Sequence, residues 1–340
     1  MMRNVRLAAV SAAVLLALTA CGSGSPSGGG GTTAPATEGT AGAEASGGEL
    51  TPVEVGVIPI VDVAPIYLGV EEGIFEKHGL DVTLTLAQGG AAIVPAVQSG
   101  NMEFGFSNVA SVIIGRDAGL PLKLVATGPQ STGNGEDDAA GIMVPGDSGI
   151  QDLTDLEGKR VAVNTLNNIN HATTYEGIKQ AGGDVDSVEF VEVGFPDMVA
   201  QLEAGNVDAI TAVEPFVTMA EQGDARNIYG FFAEPVQDLS VAGYFTTDQM
   251  IEQEPELVEA FTAAMKESQQ YATDHPEDAK AILSTYTSID EQTASELTMP
   301  RFPQLHDNAS LERMAEILAE MELIQDVPAT EDLIVEGAGE

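Results

Sequence analysis

The sequence predicts an α/β protein of two similar lobes, each a mostly parallel sheet flanked by helices. The first observation is an internal repeat, in which residues 93–109 (IVPAVQSGNMEFGFSNV) are echoed 105 positions later by residues 198–214 (MVAQLEAGNVDAITAVE). Each copy has the pattern of an amphipathic helix closed by Gly, then a strand, then a polar loop. The second observation is that strand and helix patterns alternate along the chain, which is typical of parallel sheets.

The chain begins with a predicted export signal, residues 1–21. Arg3 and Arg6 precede an apolar run over residues 7–18, which is shorter than the roughly 20 residues of a membrane span. The signal ends in Leu-Thr-Ala-Cys21, which resembles the lipobox of bacterial lipoproteins, and by that resemblance Cys21 is expected to carry a lipid anchor. The alternative is an ordinary secretory signal with an incidental Cys. Because Cys21 is the only Cys, it has no disulfide partner within the chain.

Composition predicts a tether and an acidic surface. Residues 22–50 are almost all Gly, Ser, Thr, Ala, Pro and Glu, and such a segment buries too little apolar surface to order itself. As a disordered linker it spans roughly 30 Å. The chain holds 13 basic and 53 acidic residues, a net charge of -40, which argues against binding nucleic acid or anionic lipid. This charge fits a high-salt habitat or a role in solubility alone.

The first lobe is predicted over residues 51–138 and 243–340. Its strands are expected at 53–58, 80–86, 103–106 and 122–126, with helices over 66–75, from 91 and from 108. A polar, Gly-rich loop at 132–138 is the first candidate for a crossing between lobes. Its acidic run at 136–138 lacks the alternate spacing of a calcium loop and is expected to be a solvated face. Amphipathic helices after Pro255 and around Leu311 are expected to pack on this lobe.

The second lobe is predicted over residues 139–242. It begins with a strand at 140–144, followed by a short helix at 153–156 and a strand at 160–163. A helix at 172–181, a strand at 188–193 and the echoed unit at 198–214 come next. A last strand is expected at 227–231. The chain is expected to return to the first lobe near 241–245, which predicts two hinge crossings.

Three groups of motifs resemble the substrate-binding proteins of the nitrate/sulfonate/taurine and thiamine-pyrimidine import family. They are DVAP, EGIF and GLDV at 62–65, 72–75 and 79–82; LEGKRVAV at 156–163; and FPDM, GNVDA and EPF at 195–198, 205–209 and 214–216. The resemblance covers essentially all of residues 53–324. It implies a type II periplasmic-binding-protein (Venus-flytrap) fold with two hinge strands, and delivery of a ligand to an ATP-binding-cassette (ABC) permease.

In the first lobe, the predicted ligand contacts follow the carboxyl ends of strands, where open α/β sheets bind ligands. They are Asp62, Val63, Gln88, Gly89, Gly90, Ala91, Ser107 and Asn108. Asp62 precedes a helix, so its alternative role is an N-cap. Backbone N–H groups at 88–91 can hold an anionic group, or the segment is a plain turn. Ser107 and Asn108 are expected to cap a helix, to contact the ligand, or to do both.

In the second lobe, the predicted contacts come from an amide-rich loop and from the end of the echoed strand. They are Asn164, Asn167, Asn168, Asn170, His171 and Glu214. Asn side chains donate and accept hydrogen bonds, which suits a polar organic ligand or an oxyanion. His171 has the alternative of a surface or capping residue. The family places a Glu-Pro pair at the cleft, but Glu214 also suits a helix N-terminus.

The predicted function is a monomeric, lipid-anchored solute-binding protein that needs no cofactor. Its ligand is sulfonate-, taurine- or nitrate-like, or pyrimidine- or amine-like, and carboxylates at Asp62 and Glu214 suit ligand donors better than a bare sulfonate or nitrate. No phosphate loop, zinc-protease or serine-hydrolase signature is present, and the four His are scattered without metal-ligand spacing. The alternatives are a pyrimidine-precursor synthesis enzyme of the same fold and a sensory ectodomain.

Overall fold

The structure, a computed structural model, describes residues 49–87 and 89–339. The predicted export signal, Cys21 and nearly all of the tether lie outside the described residues, as does Gln88. Within the described ranges, no helix combines the length and apolar character needed to cross a membrane.

The first sheet has five strands, four of which run in one direction. They are β1 (Thr51–Val57), β2 (Leu80–Leu86), β3 (Phe104–Asn108), β4 (Leu122–Thr127) and β10 (Ala242–Thr247). Their order is β2-β1-β3-β10-β4, and β10 runs antiparallel to both of its neighbours.

The second sheet repeats this topology. Its strands are β5 (Ala140–Pro145), β6 (Arg160–Val163), β7 (Glu189–Glu192), β8 (Ala209–Val213) and β9 (Ala225–Asn227). The order β7-β6-β8-β5-β9 again places one reversed strand, β5, in the fourth position. The echoed strands β3 and β8 therefore occupy equivalent places, and the predicted pair of mostly parallel sheets is confirmed.

Helices cover both sheets. In the first lobe they are α1 (Ala64–Glu71), α2 (Ile74–Lys77), α3 (Gly90–Gln98), α4 (Val109–Asp117), α8 (Asp248–Gln253), α9 (Pro255–Asp274), α10 (Pro276–Ala281), α11 (Glu291–Glu296), α12 (Asn308–Glu320) and α13 (Thr330–Leu333). In the second they are α5 (Ile169–Gln180), α6 (Phe195–Glu203) and α7 (Phe216–Gln222). The apolar face of α9 packs on β4 and α1, and the rings of Phe104 and Phe261 stack at 3.9 Å.

Residues 128–139 and 228–241 connect the two sheets and run antiparallel beside each other. Ser131 N donates to Leu239 O at 2.9 Å, and Val241 N donates to Pro129 O at 3.0 Å. A pair of adjacent crossings of this kind is the usual structural basis of hinge closure.

The strand predicted at 227–231 was wrong. The strand β9 ends at Asn227, whose side-chain oxygen accepts a hydrogen bond from Tyr229 N at 3.0 Å. Ile228 N still donates to Ile142 O of β5 at 2.9 Å, but the regular pairing stops there. The following residues form the second crossing instead.

Candidate ligand-binding site

A small cavity lies between the two lobes, at the carboxyl ends of the central strands. It is lined by Ile58, Ile60, Asp62, Gly90, Phe106, Asn108, Asn164, Asn168, Ile169, Asn170, Phe195, Val213, Phe232, Val241 and Ala242. Its volume of about 30 Å³ holds about two water molecules. The lobes are therefore closed on each other, and an organic solute enters this space only when they part.

Asp62 stands in the wall of this cavity, and among the described residues no other residue donates to its side chain. It lies in a short 3-10 turn after β1 and is only 4% exposed. In the described part of the chain, no other residue donates a hydrogen bond to its carboxylate, and it caps neither the turn nor α1. Burial raises the pKa of Asp62 to about 7, and the nearby charge of Asp138 adds to this effect.

Asp138 fastens the first crossing to the second. Its Oδ2 accepts hydrogen bonds from the backbone N–H groups of Phe232 at 2.9 Å and Ala233 at 2.8 Å, which holds Phe232 in the cavity wall. Its Oδ1 is buried with no partner among the described residues. The expectation of a solvated acidic face at 136–138 is wrong for Asp138, since the crossing turns this side chain inward while Glu136 and Asp137 stay exposed. Burial raises the pKa of Asp138 to about 7.

The predicted Asn residues that line the cavity also organise its loops. Asn108 caps α4 by accepting from Ser111 N at 2.9 Å. Asn164 Oδ1 accepts from Asn168 Nδ2 at 2.7 Å, and Asn170 donates to Thr211 O at 3.1 Å. The loop after β6 is therefore held in one shape, with its amides at the cavity wall.

Aromatic rings form much of the remaining wall. Phe106 packs edge-on against Tyr244 at 5.4 Å, and Phe195 stacks on Phe216 at 6.0 Å. These contacts fix the orientation of both rings. Phe232 was missed by sequence reasoning, because it lies in an irregular crossing with no periodic pattern to place it.

Glu214 lies beside the cavity but is already engaged by protein donors. Its carboxylate accepts from Thr218 N at 3.0 Å, from Thr218 Oγ1 at 2.8 Å and, across the lobes, from Thr298 N at 3.2 Å. Its backbone oxygen accepts from Val61 N at 3.2 Å, next to Asp62. Burial raises the pKa of Glu214 to about 6. Contact between Glu214 and a ligand stays a prediction.

Other predicted residues lie outside the cavity wall. The His171 ring packs on Phe190 at 4.3 Å, and its Nδ1 accepts from Asn167 N at 3.1 Å, so both residues belong to an outer groove. Burial lowers the pKa of His171 to about 4. Val63 is fully buried before α1.

The turn before α3 leaves little space around Ser107. Gly89 and Gly90 lead into the helix, which continues through Ala91. Ser107 is buried beneath Gly90, where a side chain would overlap its hydroxyl. Gly90 therefore lets the loop approach the strand closely.

A second set of contacts joins the lobes at α5 and α12. The Arg313 guanidinium donates to the buried carboxylate of Glu176 at 2.7 Å, and Lys179 forms an ion pair with Glu320. With the Glu214–Thr298 contact, these polar groups bridge the lobes at two separate places.

A family comparison identifies the wider group to which this architecture belongs. Residues 60–279 match the family described as NMT1/THI5 like. The chain belongs to the NMT1/THI5-like family. In the part of the chain described, no group of His, Cys, Asp and Glu side chains is arranged to hold a metal ion.

Individual relatives are similar but distant. The formylaminopyrimidine-binding protein of Halalkalibacterium halodurans is 22% identical over 223 residues, which is 65% of this chain and just under two thirds, 65%, of that protein. A putative aliphatic sulfonates-binding protein of Bacillus subtilis is 22% identical over 259 residues, 75% of each chain.

Solved structures confirm the two-lobed periplasmic-binding-protein fold. The alkanesulfonate-binding protein SsuA of Xanthomonas axonopodis pv. citri superposes with a TM-score of 0.71 at 15% identity, covering 84% of this chain and 99% of that one. The nitrate-binding protein NrtA of Synechocystis PCC 6803 also gives 0.71 at 15% identity, covering 85% and 87%.

Proposed function

We propose that this protein is the solute-binding component of an ABC importer, which captures a small polar organic solute between its lobes and delivers it to a permease. The observation that carries the proposal is the cavity whose wall comes from both lobes and from a crossing. A ligand that contacts both lobes stabilises the closed state by its differential affinity. The closed form then docks on the permease.

The names of the relatives span two solute classes. They cover sulfonate and nitrate on one side and a formylaminopyrimidine on the other. The proposed solute is accordingly sulfonate-, taurine- or nitrate-like, or pyrimidine- or amine-like.

Binding without chemical conversion is the proposed outcome. Among the lining residues that the structure describes, Asp62 is the one ionisable side chain. General acid–base or nucleophilic catalysis uses a second positioned group, most often a His, and His171 lies in another groove. This arrangement favours a binding protein over a pyrimidine-precursor synthesis enzyme of the same fold.

We further propose that the protein is held on the extracytoplasmic face of the cell membrane, through a lipid on Cys21 and a disordered tether. The support comes from the apolar run, the Leu-Thr-Ala-Cys21 sequence and the composition of residues 22–50. The folded part is proposed to act as a monomer.

The proposal is tested by measuring the distance between the lobes. Spin labels are attached at two exposed positions, Asp81 on the first lobe and Asp147 on the second, in a Cys21→Ser background. Pulsed electron paramagnetic resonance then reports the distance between the two labels. A solute that raises the melting temperature is expected to narrow the distance distribution toward the closed value and to be recovered unchanged. A stabilising solute that leaves the distribution unaltered, or that is converted, would contradict the proposal.

A further inference from the structure

We propose that the solute is a small organic cation, a protonated amine or amidine on an apolar body, and that the Asp62 carboxylate receives its charge. This inference rests on the proposed solute-binding function and narrows its ligand class. Three observations carry it: a buried carboxylate in the wall that receives no hydrogen bond from another described residue, the lack of basic side chains in the described wall, and aromatic rings in the same wall.

The first observation is the state of Asp62. A buried charge without a partner is strongly unfavourable, and proteins almost always pair such groups. Asp62 is 96% buried, lines the cavity and receives no hydrogen bond from another described residue. A cationic donor placed in the cavity would supply the hydrogen-bond partner that the described residues do not provide.

The second observation is that the described part of the cavity wall carries no compensating positive charge. None of the described lining residues is Lys, Arg or His. Arg301, near the first crossing, is bound to Ser131 O at 2.7 Å and to Asp238 at 2.5 Å, and Arg313 is bound to Glu176. These two side chains therefore stabilise a crossing and a contact between the lobes, and neither lines the cavity.

One feature of the site, a helix N-terminus, favours an anion, but its partial charge is smaller than the charge of the Asp62 carboxylate. The helix α3 begins at Gly90 in the cavity wall, and a helix N-terminus acts as roughly half a positive charge. Asp62 lies in the same cavity wall and contributes a full negative charge when it is ionised, which is larger than the half charge of the helix terminus. The net potential therefore favours a cation over a sulfonate or nitrate.

The third observation is the aromatic wall. Phe106, Phe195 and Phe232 line the cavity that Asp62 enters. Aromatic faces attract cations through the ring quadrupole and also bury an apolar body. A carboxylate combined with aromatic faces matches an amine or amidine that carries a hydrophobic group.

The test compares ring compounds of matched size and different charge at constant ionic strength. Benzylamine and benzamidine are the cations, benzyl alcohol and benzamide the neutral counterparts, and benzenesulfonate and nitrate the anions. Melting temperature identifies binders, and calorimetry gives their affinities for the full chain, for Asp62→Asn and for Asp81→Asn. The last variant makes the same charge change at an exposed position of the first lobe, so it corrects for attraction of cations to the acidic surface.

The expected result is that at least one cation raises the melting temperature while the anions do not. Its affinity falls at least tenfold in Asp62→Asn, as expected for a hydrogen bond to a charged group, and stays unchanged in Asp81→Asn. Melting of the unliganded Asp62→Asn variant verifies that it folds. Binding of an anion or a neutral compound in preference to the cations overturns the inference and leaves the solute-binding function standing. If no compound of any class binds, the inference fails, and the distance measurement between the lobes decides the proposed function separately.

Discussion

Replacing Asp62 by Asn is expected to stabilise the protein at neutral pH, and to do so less as the pH falls. The side chain is 96% buried and accepts no hydrogen bond from another described residue. Burial raises its pKa from the ordinary 3.8 to about 7. Asn fills nearly the same volume without a charge, so the variant removes the cost of the buried ion and little else.

The sign and size of the effect follow from proton linkage. Well below pH 4 both the folded and the unfolded chain hold the proton, and the full stability is present. As the pH rises toward 7, the unfolded chain releases its proton before the folded chain does, so the free energy of unfolding falls. A pKa difference of this size amounts to about 4 kcal/mol in full, of which about 3 kcal/mol lies between pH 5 and pH 8.

The assay is urea unfolding of the parent and the variant at several pH values from 5 to 8, followed by circular dichroism. The stability advantage of Asp62→Asn is expected to widen by about 3 kcal/mol across this range, or by about 6 °C in melting temperature for a chain of this size. Asp81→Asn is the matched control, because Asp81 is exposed on the edge strand β2.

The groups that interact with Asp62 bear on this measurement. They are Asp138, Tyr244 and Tyr286. Burial holds the pKa of both tyrosines well above 10, so only Asp138 titrates in the same range and shares the effect. An advantage that is equal at pH 5 and pH 8 would show that Asp62 ionises normally, and would refute the argument from burial.

Three further outcomes are expected. Cys21→Ala should move the protein from the membrane fraction to the soluble fraction or stall its processing, and unchanged membrane fractionation would remove the anchor hypothesis. Glu214→Gln should weaken solute binding by about tenfold, since a Gln amide cannot accept from all three donors that reach the carboxylate, including Thr298 N across the lobes. If calorimetry finds an unchanged affinity while the melting temperature falls, Glu214 has only a folding role. In chemical unfolding, Gly90→Ala should lower the free energy of unfolding by about 1–3 kcal/mol, because the added methyl group overlaps with Ser107. Adding Ser107→Ala should restore part of this loss, and an unchanged stability of the single variant would contradict the close packing.

The sheets were predictable because their residues carry strong periodic signals. The echo between 93–109 and 198–214 predicted equivalent places for β3 and β8, and both sheets show them. The two reversed strands were not predicted as reversed, since β5 and β10 have the same alternating pattern as their parallel neighbours. Direction depends on where the crossings enter each sheet, and that information is not local.

The site was predictable where it follows strand ends and not where it depends on the crossings. Asp62, Gly90, Asn108 and the loop at 164–170 follow strands, and the cavity wall includes residues from each. The buried position of Asp138 and its hydrogen bonds to the second crossing were not predicted, because an acidic run in a Gly-rich loop has the composition of a solvated surface. Only the pairing of the two crossings turns Asp138 inward.

The position of β10 has a consequence for how the protein is made. The second sheet is complete within residues 140–227, whereas the first stays open between β3 and β4 until residues 242–247 are added. Because synthesis proceeds from the N-terminus, a nascent chain that has exposed β9 but not β10 carries a finished second lobe and two unpaired strand edges in the first. We expect proteases to cleave the first lobe selectively in chains arrested at that length, and cleavage of both lobes at equal rates would contradict this order. The lobe that begins first is thus the one that is finished last.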